Sequence, residues 1–306
     1  MITENKLRIG IVGLGGIAQK VYLPFLSKEK EWSLAGAYSP TESKRNEICS
    51  HYRIKAFSKL TDLIDNCDAV FVHSSTETHY EIVSEAIKKG KDVYVDKPLA
   101  ATLEEAEDLA ELSLKTGRKL MVGFNRRFAP MYVKAKQEAK NPAWVRIDKH
   151  RFNGIRPVYF EITMMDDYIH LVDTARWLGE PAGFINGKIE INEDKQLVYS
   201  RHDYETENGS HIYMGMHRNA GTNLEQIEFT ADNSVIRVKN MDIMEVEENG
   251  KIVITESPSW DTIIKRRGFE DAIMHFINSI KSNTNPKTNG EEALKTQKLV
   301  YDMIHQ

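Results

Sequence analysis

A strand-like stretch, Leu7 to Val12, apolar from Ile9 onward, leads directly into Gly13-Leu14-Gly15-Gly16-Ile17-Ala18 and then into a helical pattern over Ile17 to Ser27. This junction restricts the fold more than any other stretch of the chain. A strand with no polar face has to be covered on both sides, as happens in parallel sheets flanked by crossover helices. Gly13 permits the tight turn out of the strand, Gly15 lets the backbone approach a pyrophosphate, and Ala18 allows helix and strand to pack closely. The amides that open the helix then face an anion. A turn of this kind can also be purely structural, so its surroundings decide the reading.

Those surroundings alternate. Strand-like runs at Trp32 to Tyr38, Ala69 to Ser74, Asp92 to Val95 and Lys119 to Val122 are separated by helical patterns at Ser43 to Tyr52, Leu60 to Asp65, His79 to Lys89 and Leu103 to Thr116. Strand and helix taking turns imply a parallel, doubly wound α/β sheet, the Rossmann arrangement. With that context the glycine turn reads as a dinucleotide site, with Gly13, Gly15, Gly16, Ile17 and Ala18 against the cofactor.

The second half has a different character. Arg146 to Phe152, Phe184 to Ile191, Gln196 to Asp203, His211 to His217, Gln226 to Ala231, Ser234 to Lys239 and Ile243 to Glu247 read as strands. Turns such as Asn208-Gly209 and Asn249-Gly250 join strands into a mostly antiparallel sheet. Helical stretches lie near Ile169 to Leu178, Phe269 to Ser282 and Glu291 to His305. The expected organisation is a dinucleotide-binding domain over 1–124 and an α+β domain with a large open sheet over 125–306. The final helix (about 291–306) has the option of packing back on the first domain.

Bulk properties remove several function classes. The 306 residues exceed what one core normally holds, so two domains are the natural prior. A net charge of −4 gives no electrostatic reason to bind nucleic acid or an anionic membrane. The two cysteines, Cys49 and Cys67, form no close pair, which fits a reduced compartment and neither a disulfide framework nor a cysteine zinc site. No histidine spacing indicates a metal. The N-terminal segment carries Glu4, Lys6 and Arg8, and no apolar run approaches the ~18 residues of a membrane span, so the expected location is the cytoplasm.

Three further segments carry chemistry. The second strand ends Tyr38-Ser39-Pro40-Thr41, with Lys44 and Arg45 just beyond, where an NAD-selective site usually has a carboxylate for the ribose hydroxyls. Hydroxyls followed by cations suit a 2′-phosphate, which favours NADP over NAD, although Glu42 complicates the charge argument. In Val95-Asp96-Lys97-Pro98 the proline biases Lys97 to an extended backbone and keeps it out of the next helix. Lys97 therefore falls at the carboxyl end of a sheet strand, where open α/β sheets bind ligands. In Met165 to Asp173 an ordinary helical opening turn puts Asp166 and His170 on one face. A histidine beside a carboxylate is a fit base for a substrate hydroxyl; the alternative is a helix cap and a satisfied core histidine. The basic pairs in Arg126-Arg127 and Lys265-Arg266-Arg267 lack a nucleic-acid module around them and read as solvated faces or salt-bridge partners.

These segments together resemble the Gfo/Idh/MocA oxidoreductases over nearly the whole chain. The resemblance rests on the strand and glycine loop, Thr78-His79, Asp96-Lys97-Pro98, Arg127-Phe128-Ala129-Pro130 and Asp166 to Asp173 in family order. Within the family the chain is most similar to the bacterial MviM-like branch, through Val12 to Lys20, Phe71 to Thr76 and Val122 to Phe128. The resemblance implies that Lys97 meets nicotinamide and substrate, that His170 accepts the substrate proton and that Asp166 assists. It implies cofactor contacts from Ser39, Thr41, Lys44, Ser74, Ser75, Thr76, His79, Asp96 and Asn125, and substrate contacts from Arg127, Asp166, Tyr168 and His170. It also implies a homodimer or homotetramer through the second-domain sheet.

Two positions depart from the family pattern. Asp96 stands where glutamate is usual, and Tyr168 where glycine is common. On a regular helix Tyr168 points away from Asp166 and His170, while in an irregular turn it fills the pocket. The function expected is hydride transfer between NADP, or NAD, and a hydroxyl or carbonyl of a sugar, cyclitol or related small polar molecule. A nucleotide-binding sensor and a redox-assisted elimination or glycoside cleavage are the alternatives.

Overall fold

The computed structural model describes residues 6–306, so Glu4 and the rest of 1–5 lie outside the described residues. The chain forms two compact units. One comprises the chain up to Gly123 together with Ile273–Lys295, and the other Phe124–Ala272 with Thr296–Gln306. The expected division at 124/125 thus has a second crossing. Phe269–Lys281 and the first part of the last helix, Gly290–His305, return the chain to the first unit. The return is hydrophobic: Ile273, Phe276 and Ile277 are fully buried, and Phe276 packs edge-on against Phe71 and Tyr94.

The first unit is built on a parallel sheet of β1 (Leu7–Val12), β2 (Trp32–Tyr38), β3 (Ala69–Val72), β4 (Asp92–Val95) and β5 (Leu120–Val122). Their order, β2-β1-β3-β4-β5, reverses between β1 and β3. That reversal opens a crevice beyond the carboxyl ends of these two strands. All four residues of β3 and all four of β4 are buried, the signature of a sheet covered on both faces. Helix Leu103–Thr116 shows how locally determined the scaffold is: Thr102 and Glu105 form a reciprocal capping box, and Gly117 ends it in the left-handed conformation.

The second unit carries an eight-stranded sheet ordered β13-β12-β11-β10-β6-β9-β8-β7. The strands are β6 (Trp144–His150), β7 (Asn186–Ile191), β8 (Leu197–Glu205), β9 (His211–His217), β10 (Leu224–Ala231), β11 (Ser234–Lys239), β12 (Ile243–Glu248) and β13 (Lys251–Glu256). Only β6 and β9 pair in parallel. Along β9 the residues alternate, with Ile212, Met214 and Met216 buried and Tyr213 exposed. One face of the sheet therefore packs inside the unit and the other stays polar.

Gly13 sits where the two loops of the crevice meet. It has φ +88°, and a Cβ there would lie 2.5 Å from the backbone of His73 and Ser74. Gly16 has open space around it. Gly13→Ala should therefore lower the unfolding free energy by about 3 kcal/mol, from left-handed strain plus the backbone collision. Gly16→Ala should leave stability within about 1 kcal/mol of the parent. Thermal and urea unfolding of the nucleotide-free proteins read both; equal losses would contradict this account of the turn.

Candidate active site

In the first unit the chemistry gathers at the carboxyl ends of β1 to β4. The helix after the glycine turn begins at Gly16, passes through a π-helical stretch at Ala18–Tyr22 and continues as Leu23–Leu26. Its first-turn amides have no acceptor within the helix. The space above them is open, since a Cβ on Gly15 would meet nothing nearer than 4.0 Å and one on Gly16 nothing at all. An open cradle with donors at its floor fits a dinucleotide pyrophosphate. At the end of β2 no carboxylate follows Tyr38: Ser39 is buried, and Thr41 and Lys44 are exposed.

Lys97 lies just past β4, half-buried, followed by a cis peptide bond to Pro98. Asp96 holds its backbone: Oδ1 accepts from the Lys97 amide at 2.9 Å. The other oxygen, Oδ2, lies 3.8 Å from Nδ1 of His73. Burial disfavours charge on both groups. It lowers the His73 pKa, whereas for Asp96 the opposing pull of His73 and Lys97 outweighs burial and lowers the carboxyl pKa. The pair is thus a neutral imidazole beside a carboxylate. The ring of His73 stacks on Tyr22 with centroids 3.6 Å apart, and the Tyr22 and Tyr94 hydroxyls meet at 3.3 Å.

His79, expected at the cofactor, has a different task. It is 1% exposed, with Nδ1 3.0 Å from the Pro98 carbonyl and Nε2 3.3 Å from that of Ser74. The shorter contact places the ring proton on Nδ1. His79 ties the loop after β3 to the loop after β4, which carries Lys97. Ser74 accepts from Thr78 Oγ1 at 2.8 Å, Ser75 is exposed and Thr76 half-exposed at the crevice side of that loop.

In the second unit, Met164–Tyr168 forms a π-helical turn that opens helix Ile169–Leu178. The wider turn replaces the regular i, i+4 spacing assumed for Asp166 and His170. Asp166 is ion-paired with Arg156, and His170 is half-buried on the first turn of the helix. The strongest electrostatic feature escaped the sequence reading. Asp167 binds Lys149 at β6 and Arg218 just beyond β9, with Arg151 3.8 Å away. Lys149 is 1% exposed, and burial brings its pKa down to about 8 despite Asp167 and Glu225. Asp167 sits far below the usual carboxylate range because Lys149, Arg151 and Arg218 outweigh its burial. Alternating β6 as Val145, Ile147, Lys149 on the buried face was the signal available for this lysine.

Three expected contacts need correction. Arg127 was read as a substrate ligand, but its Nη2 donates to Asp173 at 2.7 Å and both members are nearly buried. Such a pair stabilises the interior because breaking it strands a charge. Tyr168, read as a second substrate ligand, is fully buried, and its hydroxyl donates to Nδ1 of His202 at 2.9 Å. Burial pushes His202 down to about 4, so its ring is neutral and able to accept. The π-turn turns this side chain onto the sheet. Asn125, read as a cofactor ligand, is 3% exposed and donates to the Arg267 carbonyl at 2.7 Å. Two other arginines of the basic clusters also find carboxylates, Arg126 on Glu225 and Arg266 on Asp242.

Comparison with known proteins agrees with this geometry. Residues 7–124 match the family described as "Oxidoreductase family, NAD-binding Rossmann fold", and residues 130–249 match "YceM-like, C-terminal domain". The chain is 43% identical to "Putative oxidoreductase YceM" of Salmonella typhimurium, over 96% of each protein. The chain belongs to the Gfo/Idh/MocA oxidoreductase family. A crystal structure of a dehydrogenase (MviM) from Clostridium difficile superposes with a TM-score of 0.96 at 44% identity, covering 98% of this chain and 99% of that one. Myo-inositol 2-dehydrogenase of Thermotoga maritima is 30% identical over 61% of this chain and 60% of its own length. Among the described residues no helix is long and apolar enough to cross a membrane and no cluster of metal ligands occurs.

Glu225 offers a test of the buried charge network. Burial favours its neutral form, but Arg126 and Lys149 outweigh that and hold the pKa at about 2 against an ordinary 4.5. The unfolded chain therefore binds the extra proton between these values. The stability that Glu225 contributes is full above about pH 4.5 and disappears as pH falls through about 2. Glu225→Gln should flatten this part of the stability profile, measured by urea unfolding from pH 2 to 6. An unchanged acid slope would mean the carboxylate is not held by these cations.

Proposed function

We propose that this oxidoreductase is an NADP-dependent dehydrogenase or reductase acting on a hydroxyl or carbonyl of a sugar, cyclitol or related small polyhydroxylated molecule. The observation that carries the reading is Lys97, fixed by the Asp96 carboxylate at the carboxyl end of β4 on a sheet whose glycine cradle suits a dinucleotide. The name of the Thermotoga relative supports a cyclitol or sugar as substrate class. Ser39, Thr41 and Lys44, with no carboxylate directly after β2, support NADP.

When bound, the nicotinamide accepts or gives the hydride. In the oxidising direction His170 takes the proton of the reacting hydroxyl, a transfer worth roughly 10²–10⁴ in rate. Lys97 holds that oxygen through its ammonium protons, and Asp166 orients a neighbouring hydroxyl or the imidazole. In reduction the same groups work in reverse, with His170 donating. Ser74, Ser75 and Thr76 present hydroxyls and backbone amides along the crevice. The second-unit sheet serves self-association as a dimer or tetramer, a role that suits Trp144 and Tyr213, 45% and 44% exposed on neighbouring strands.

Lys97→Met should keep nucleotide binding and lose turnover, and His170→Asn should lower kcat about 10²–10⁴-fold. The cofactor is read by thermal shift, because selective binding stabilises the native state. Greater stabilisation by NADPH than by NADH is expected. The reverse order would overturn the roles given to Ser39 and Lys44, and no shift with either would overturn nucleotide binding. Accumulation of NADPH during turnover separates net oxidation from a cycle that restores its own cofactor. Trp144→Glu should move the protein to a smaller species in sedimentation if the sheet is the self-association surface.

A further inference from the structure

A cavity of about 310 Å³ lies within the second unit, at the end of the sheet where β6 finishes and β10 begins. Its charged lining comprises Arg151, Glu225, Asp242, Arg266 and Arg267. Both carboxylates are already occupied. Glu225 accepts from Arg126 at 3.0 Å, and Asp242 from Arg266 at 2.6 Å. Arg151 reaches only Asp167, at 3.8 Å, beyond hydrogen-bond range, and Asp167 is already held by Lys149 and Arg218. Arg267 forms no ion pair among the described residues. Six cations, Arg126, Lys149, Arg151, Arg218, Arg266 and Arg267, thus share three carboxylates, Asp167, Glu225 and Asp242.

Of these six, Arg151, Arg266 and Arg267 line the cavity itself, half-exposed or exposed at its mouth, and the other three lie outside its lining. Lys149 and Arg218 are 1% and 5% exposed, so their charges act through a medium poor in water. The low pKa of Glu225, to which Arg126, Lys149 and Arg267 contribute, registers the same positive field. A neutral polyol bound there would leave cations partly desolvated without a counter-charge. A guanidinium offers parallel N–H donors that match a carboxylate or phosphate. Arg151 also connects the cavity to the proposed chemistry, since Asp167 beside it is the neighbour of Asp166.

We propose that the substrate carries an oxyanion, a carboxylate or a phosphate, and that Arg151 and Arg267 receive it in this cavity. The inference rests on the oxidoreductase reading above and narrows its substrate class to sugar acids or sugar phosphates. Phosphate and carboxylate share the chemistry of recognition, and the test separates them.

Inorganic phosphate and D-gluconate are titrated calorimetrically into the full-length protein held in saturating NADP, which occupies the cofactor's own phosphate positions. At least one anion should bind, and Arg151→Met and Arg267→Met should each weaken it roughly tenfold or more. Phosphate alone would identify a phosphate ester, gluconate alone a sugar acid. A turnover panel then compares glucitol with gluconate and glucose with glucose 6-phosphate. The ratio of kcat/KM for anionic over neutral members should exceed one and fall in both variants. No binding of either anion, or binding unchanged in both variants, overturns the proposal. If the variants lose the anion but no panel member alters nicotinamide absorbance, the oxidoreductase reading fails and the anion site stands.

Discussion

Asp167 is the residue on which the second unit's chemistry depends. One carboxylate gathers a lysine from β6 and an arginine from beyond β9, and it does so from the middle of a π-helical turn. β6 and β9 are the only parallel pair in their sheet, so their carboxyl ends run out on the same side. Cations at both ends would repel in a buried setting. The carboxylate between them converts that repulsion into a clamp that holds the opening turn of helix Ile169–Leu178. Removing it would leave the buried Lys149 with only Glu225, which Arg126 already engages, as counter-charge, a loss of about 3–5 kcal/mol. Asp166 and His170, one residue before and three after, take their positions from this clamp.

The first unit solves the equivalent problem for Lys97 with less charge. The aspartate at 96 is one methylene shorter than the glutamate usual in the family, and its carboxylate turns back onto the amide of the next residue. The space on its other side is met by His73, stacked on Tyr22 and 3.8 Å from Oδ2. A histidine at the end of β3 therefore accompanies the shorter acid at the end of β4, two strands that pair directly. His79, on the helix that follows the β3 loop, adds the second brace by donating from Nδ1 to the Pro98 carbonyl. Lys97 is thus supported by backbone contacts from each side, which limits how far its ammonium can wander.

The parallel sheet was legible almost residue by residue, because its strands are apolar on both faces and its helices are bounded by local signals such as Thr102, Glu105 and Gly117. The open sheet was legible as strands, but β13 was not. Ile252, Val253 and Ile254 are all more than 60% exposed there, and an edge strand without a buried face shows no alternation. Helix Pro130–Glu138 was missed for the related reason that its apolar stripe is weak. Among candidate site residues, those whose position follows from backbone geometry, Gly13 at the turn out of β1 and Lys97 just past β4, could be located from neighbours in sequence. Arg127, Tyr168 and Asn125 could not, since the groups that occupy them, Asp173, His202 and Arg267, lie 46, 34 and 142 residues away. Pairing at such separations is set by topology, which no local pattern encodes.

The same distinction bears on cofactor selectivity. Arg45, one of two cations read as partners for a 2′-phosphate, is 6% exposed and donates from Nη1 to the Ser39 carbonyl at 2.7 Å. It fixes the backbone that presents the Ser39 side chain but spends its guanidinium doing so. Lys44 remains exposed, and Glu42 occupies the same first turn of helix Glu42–Tyr52. A single solvent-exposed lysine gains about 1 kcal/mol or less from a phosphate, which the nearby glutamate reduces. The proposed preference for NADP would therefore rest chiefly on hydroxyl hydrogen bonds by Ser39 and Thr41 and on the lack of a carboxylate placed to hold the ribose. That combination lowers discrimination between the two cofactors instead of excluding one, and it makes Ser39, held from behind by Arg45, the position where a change to aspartate would turn the preference towards NAD.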